Sequence, residues 1–217
     1  MSFLNDWSQY YPDLLSGLWL SVRLAALSLL VGIPCGLLLA LGASAKSRPA
    51  RLLTIGLVET GRGIPALVML QLVYFGLPTA HLTLSSFVAG ALALALTTAA
   101  YTSEILRGGL QAVPAGEVEA ASALGMSQRD TLRFIVIPQG VRIAIPPLMG
   151  FAILMFQATS LAYTIALPEL LSQAYSTGSA TFRYMNILAL AGLLYAAITI
   201  PASWLSERAE KRLGRHL

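Results

Sequence analysis

What most constrains this chain is a set of long stretches without charge. Residues 17–43 (GLWLSVRLAALSLLVGIPCGLLLALGA) contain one, Arg23, while residues 84–103, 143–168 and 184–206 contain none. A helix rising 1.5 Å per residue needs about 20 residues to cross the ~30 Å hydrocarbon core of a bilayer, and each run meets that length. A fifth run, 52–78, is apolar apart from Glu59 and Arg62, with Gly61-Arg62-Gly63-Ile64-Pro65 in its middle. Only 11% of the residues are charged, against roughly 25% in soluble domains, and the mean hydropathy is +0.71, so the expected solvent is lipid. Membrane barrel strands would alternate apolar and polar residues over segments of about 10, and no such alternation occurs. The expectation is an all-α integral membrane protein of five transmembrane helices, the second kinked near Pro65 because proline lacks a donor and clashes with the preceding turn.

The net charge of +4 is explained by topology rather than by nucleic-acid binding. Lys46, Arg48, Arg51 and Arg62 follow the first run, Arg107, Arg129, Arg133 and Arg142 the third, and Arg208, Lys211, Arg212 and Arg215 the fifth. Twelve of the fourteen basic residues thus fall on one side of a five-span arrangement, which the positive-inside rule makes cytoplasmic. The N-terminus is then outside, residues 1–16 form an extracytoplasmic segment, and the C-terminus is inside. Residues 17–217 form one transmembrane domain with a cytoplasmic loop at about 108–142. Anionic lipid adds a small attraction for these basic flanks. Ala43-Ser44-Ala45 looks like a signal-peptidase site, yet Asp6 and Asp13 stand where a leader carries positive charge, so cleavage is not expected.

Motifs of soluble chemistry are missing. The chain has no G-x-x-x-x-G-K-[ST] sequence for nucleotide binding. His81 and His216 have no carboxylate or cysteine neighbours at metal-ligand spacing and read as solvated. The single cysteine, Cys35, cannot form an internal disulfide and reads as a small buried hydrophobe. Gly32-x-x-x-Gly36 permits close helix approach, although glycine is common in membrane helices generally.

The most polar stretch between apolar blocks is Glu117–Gly140, EVEAASALGMSQRDTLRFIVIPQG. Pro114 and Gly116 break the third helix's continuation. A short helix is expected from Glu117 to Leu124, with glutamates complementing its dipole and Gly125 at the left-handed stop. Ser127 and Asp130 resemble a capping box that opens a second helix to about Ile137, ended by Pro138. A short, alanine-rich, partly acidic helix suits a groove on another protein, and a solvated connector is the plainer alternative.

The spacing Glu119-Ala120-Ala121, Gly125, Ile135, Ile137-Pro138 resembles the EAA loop of permease subunits of ATP-binding-cassette importers, with isoleucine where the family has leucine before the proline. GRGIPALVMLQLVYFGLP, AAYTSEILRGGLQAVPAGEVEAASALG, IPQGVRIAIPPL and ATSLAYTIALPELL extend the likeness to the polar-amino-acid branch. The resemblance implies that Glu117, Glu119, Ala120, Ala121, Gly125 and Pro138 couple the chain to a cytoplasmic ATPase dimer. ATP and Mg would sit on that partner, this chain binding no cofactor and catalysing nothing. It further implies a second permease subunit, identical or paralogous, an extracytoplasmic substrate-binding protein, an amino-acid substrate, surrounding membrane lipid and a bacterial inner-membrane location. A self-sufficient secondary transporter or channel is the alternative, disfavoured because five helices do not divide into inverted halves.

Polar groups at membrane depth are candidates for the substrate path: Arg62, Gln71, Glu104, Gln157, Thr159 and Ser160. Glu59 with Arg62, and Glu104 with Arg107, are also spaced to pair along a helix. Arg23 either snorkels or pairs within an assembly. Two departures from the family pattern are Ile64, where threonine is frequent, and Gln157-Ala158, where a Lys-Asp or Lys-Asn pair is frequent.

Overall fold

A computed structural model describes residues 3–45 and 47–213, with side chains from Trp7 onward. Lys46, Arg215, His216 and the side chain of Asp6 lie outside the described residues. Every regular element among the described residues is helical. They are α1 (Phe3–Ala43), α2 (Arg48–Gly63), α3 (Ala66–Gln71), α4 (Ser86–Gln111), α5 (Ala115–Ala123), α6 (Gln128–Thr131), α7 (Ile137–Ala158), α8 (Leu170–Thr181) and α9 (Tyr184–Leu213). Among the described residues, four continuous helical stretches are long and apolar enough to cross a membrane: Trp7–Ala43, Ser86–Gln111, Gln128–Ile165 and Tyr184–Leu213. The bent pair Arg48–Gly63 and Ala66–Ala80 makes a fifth if it is one span.

That pair is bent by 100°. The cause is local: Pro65 forces the residue before it away from helical backbone, and Ile64 is extended at φ −85°, ψ 122°. The expected kink at Pro65 is therefore a sharp break. The chain continues through α3, a π-helical turn (Leu72–Gly76) and a 3-10 turn (Leu77–Ala80) to His81, which is exposed with φ 61°.

The core centres on α1 and α4, which pack more extensively than any other pair. Their closeness has a sequence cause. A Cβ on Gly32 would collide with Thr98, and one on Gly36 would collide with Thr102 and come within 3.0 Å of the Ala99 carbonyl. The small-xxx-small spacing is thus used for close approach. A second intimate crossing joins α4 to α7, where a Cβ on Gly109 would strike the Gly140 carbonyl and one on Gly140 would lie 2.7 Å from Leu110 Cα. Leu24, Leu70, Leu94 and Ile165 form the centre of the largest apolar cluster.

Two expectations change. Pro138 does not end a helix. The chain runs from α6 through a π-helical turn (Leu132–Val136) into α7 with Pro138 in its first turn, forming one stretch from Gln128 to Ile165. The extra backbone of the π turn lets the helix continue through a residue without an N–H. Cys35 is exposed rather than buried, on the face of α1 turned toward a groove with Leu38, Leu52 and Leu57. Residues 3–16, on whose local structure the sequence was silent, are helical and continuous with the first span.

The region after the fourth span also holds an element the sequence did not announce, α8. Its N-cap is Glu169, whose carboxylate accepts from the backbone N–H of Leu171 at 2.9 Å and of Ser172 at 2.8 Å. The same carboxylate accepts from the Ser21 hydroxyl of α1 at 3.3 Å and the Tyr195 hydroxyl of α9 at 3.1 Å. One fully buried side chain therefore ties three helices together.

Candidate coupling loop and polar cluster

The loop between α4 and α7 is built by local signals. α5 begins after Pro114, two residues earlier than expected, and carries Glu117 in its first turn, where a negative charge suits the helix dipole. It ends at Gly125, whose φ of 76° only glycine adopts freely. The Gly125 N–H donates to the Ser122 carbonyl at 3.0 Å and the Met126 N–H to the Ala121 carbonyl at 3.1 Å. This is the Schellman pattern, which satisfies carbonyls a helix end would otherwise orphan. Ser127 then caps α6, accepting from the Asp130 N–H at 3.2 Å and donating to the Asp130 carboxylate at 2.6 Å.

α5 presents two unlike sides. Ala121 is 1% exposed and packs inward, whereas Glu119, Ala120, Ala123 and Leu124 face out, Leu124 being 82% exposed. Glu117 accepts from Gln139 at 3.3 Å, tying α5 back to the first turn of α7. Pro138 is exposed in that same turn. Of the residues singled out for coupling, Glu117, Glu119 and Ala120 are exposed, Glu117 while bonded to Gln139, whereas Ala121 is buried and Gly125 closes the helix. Leu124, the most exposed apolar residue of this loop, was not singled out, because the motif spacing skips it.

The path candidates fall into separate groups, with Arg62 and Glu104 within electrostatic reach of each other and Gln157, Thr159 and Ser160 together at the end of α7. Thr159 is fully buried and donates to the Phe156 carbonyl at 2.6 Å, and Ser160 donates to the Gln157 carbonyl at 2.8 Å, so both hydroxyls serve the transition from α7 into its 3-10 continuation (Thr159–Ile165). Gln157 and Gln71 are exposed. Glu104 pairs with Arg107 along α4, with Nε to Oε1 at 3.0 Å and a second, shorter contact. Arg62 meets Glu59 at 3.4 Å and lies 5.9 Å above the ring of Tyr101. Both expected pairs are present. Arg23, left open between two explanations, stands 5.4 Å over the ring of Phe87.

Residues 32–215 match the family described as "Binding-protein-dependent transport system inner membrane component". A probable amino-acid ABC transporter permease of Bacillus subtilis (strain 168), YckA, is 34% identical over 207 residues, covering 95% of this chain and 92% of that protein. The nopaline transport system permease NocM of Agrobacterium fabrum is 37% identical, covering 95% and 90%. The histidine/lysine/arginine/ornithine permease HisM of Escherichia coli K12 is 34% identical, covering 93% and 89%. A crystal structure of an amino acid ABC transporter with histidines superposes with a TM-score of 0.90 at 33% identity, covering 98% and 99% of the two chains. The MetNI methionine transporter, at 16% identity and a TM-score of 0.70, shares the fold.

Proposed function

The chain belongs to the family of inner membrane components of binding-protein-dependent transport systems, and from that premise we propose that it forms the translocation path of an ATP-driven amino-acid importer. As a member of that family it is a multi-pass inner-membrane transport subunit. The substrate class is inferred from relatives whose names specify amino acids or opines. ATP hydrolysis, with its Mg, belongs to a separate ATPase dimer. A second permease subunit and an extracytoplasmic binding protein complete the assembly.

The observation that carries this reading is the α5 hairpin. It is a short helix closed by its own C-terminal cap and tied to α7 by Glu117–Gln139, with Glu119, Ala120, Ala123 and Leu124 turned outward. Such an element fits a groove on a partner. Closure of the ATPase dimer would pull on it and bias the spans between outward-open and inward-open states.

The test is uptake of radiolabelled amino acids by proteoliposomes holding the chain with its ATPase and binding protein. Uptake is expected to require all three and ATP. Gly125→Val puts a β-branched residue at φ 76°, and ATP hydrolysis is then expected to uncouple from uptake. Normal transport by that variant would refute the docking role of the loop, and uptake by the chain alone on an ion gradient would establish the secondary-transporter alternative.

A further inference from the structure

We propose that Arg62, seated on Tyr101, is the receptor for the substrate's carboxylate in the translocation path, and that Glu59 is the resting counter-ion which that carboxylate displaces. This rests on the amino-acid importer reading above and assigns a chemical task within it.

The placement follows from the sequence. A Cβ on Gly61 would come within 2.7 Å of the Ala100 methyl, so α2 touches α4 at that level. The next residue on each helix is then brought together: Arg62 on α2 and Tyr101 on α4. The Tyr101 hydroxyl donates to the Arg62 carbonyl at 3.2 Å. That carbonyl lies in the last turn before the break at Ile64–Pro65, where helical partners run out, so the phenol caps the end of α2. The same ring carries the guanidinium 5.9 Å from its centroid and stacks on Phe151 of α7 at 5.8 Å and 22°. Three elements therefore fix where the charge of Arg62 stands.

The two arginine–glutamate pairs of this region have the same spacing and different quality. Arg107 grips both oxygens of Glu104 and donates to Gln111 at 3.2 Å, with both partners of the ion pair about one-third exposed. Arg62 makes one contact with Glu59 at 3.4 Å, and the Glu59 side chain is 64% exposed. A guanidinium offers five donors in a fork that matches a carboxylate, and among the described residues Glu59 engages a single arm. Arg107 is already committed to Glu104, whereas Arg62 makes one hydrogen-bonded contact, with Glu59, and meets Glu104 only through longer-range attraction, which leaves most of its donors unspent. An exposed pair at 3.4 Å contributes little, so a ligand carboxylate taking both arms competes well against Glu59.

The test measures binding to the complex of permease and ATPase in nanodiscs, without the binding protein, so that affinity reports on the membrane subunit. The probes are tritiated L-arginine, L-histidine, L-glutamine and L-glutamate, each competed by its own free acid and by the corresponding α-carboxamide. The wild-type complex is expected to bind at least one probe and to prefer acid over carboxamide. Arg62→Gln should weaken that binding about 10- to 100-fold, as loss of a charge-assisted contact does, and should abolish the preference. Arg62→Lys, which keeps the charge without the fork, should retain part of both. Tyr101→Leu should weaken binding while keeping the preference, as a positioning role requires. Glu59→Gln should tighten binding several-fold, an effect that a purely structural pair would not produce. Retained acid preference in Arg62→Gln, or weaker binding in Glu59→Gln, overturns the proposal. Absence of binding by all four probes overturns it as well, while ATP-dependent uptake by the full assembly would leave the importer reading standing.

Discussion

At the scale of the residue, the informative side chains are those whose polar atoms can be accounted for one by one. Thr98 is fully buried beside Gly32, and its hydroxyl has no partner among the described residues. An unsatisfied buried hydroxyl costs about 1–3 kcal/mol, so Thr98→Val is expected to leave thermal stability in detergent unchanged or raised. Glu169 is the opposite case, with four donors converging on one carboxylate. Burial pushes its pKa above the ordinary carboxylate value, against the opposing pull of the Leu171 and Ser172 N–H groups and the Tyr195 and Ser21 hydroxyls. In the window between the two values the folded state holds a proton that the unfolded chain releases. This contribution to stability is therefore complete below the ordinary carboxylate range and is lost as pH rises through the raised value. Melting temperature followed from pH 4 upward should show that decline in the wild type and lack it in Glu169→Gln; parallel curves would contradict the assignment. Gly125 was legible in the sequence because only a left-handed stop explains a glycine there. Glu169 was not, because its partners, Ser21 and Tyr195, are 148 and 26 residues away.

At the scale of the element, hydrophobic length located the spans and proline located their irregularities, but proline alone did not say which irregularity would follow. Pro65 breaks its helix by 100°, while Pro138 is carried inside one by a π turn. The difference is in the flanks. Pro65 follows Gly61 and Gly63, poor helix formers, whereas Pro138 follows Leu132-Arg133-Phe134-Ile135-Val136-Ile137, an unbroken series without glycine. Helix α8 escaped notice for a related reason: its cap is a glutamate rather than serine, threonine, asparagine or aspartate, and its run of Ser, Thr and Gly in Tyr175-Ser176-Thr177-Gly178-Ser179-Ala180-Thr181 reads as loop. The π turn also sets the angle at which the loop meets α7. Pro138→Ala restores an N–H and removes the ring's clash with the preceding turn, so the turn is expected to relax to α-helix and rotate α6 relative to α7 by about 100°, one residue of helical register. Spin-label distances from position 128 to position 200 should shift by several ångströms in the variant if the π turn depends on the proline, and remain unchanged if it does not.

At the scale of the whole molecule, packing decides shape, and orientation is a proposal that rests on charge. The α1–α4 and α4–α7 crossings depend on glycines 32, 36, 109 and 140, and of these only the first pair was marked by its spacing, since Gly109 and Gly140 are 31 positions apart and meet only in the folded chain. The orientation proposed from the basic flanks makes a separate demand. The turn at Phe182, between α8 and α9, and the α5 hairpin at Glu119 should lie on opposite sides of the membrane. Both positions are exposed, Phe182 by 90%, so a cysteine at either is accessible to a bulky reagent. The native Cys35 must first be removed because it too is exposed, and Cys35→Ser is expected to be tolerated because this side chain is not enclosed by the core. In intact cells, a membrane-impermeant maleimide should then label Phe182→Cys directly and Glu119→Cys only after permeabilisation. The reverse pattern would invert the topology and place α5 out of reach of any cytoplasmic ATPase. Labelling of Glu119→Cys should also fall when the ATPase is co-expressed, because docking covers the outward side of α5, whereas labelling of Phe182→Cys should not.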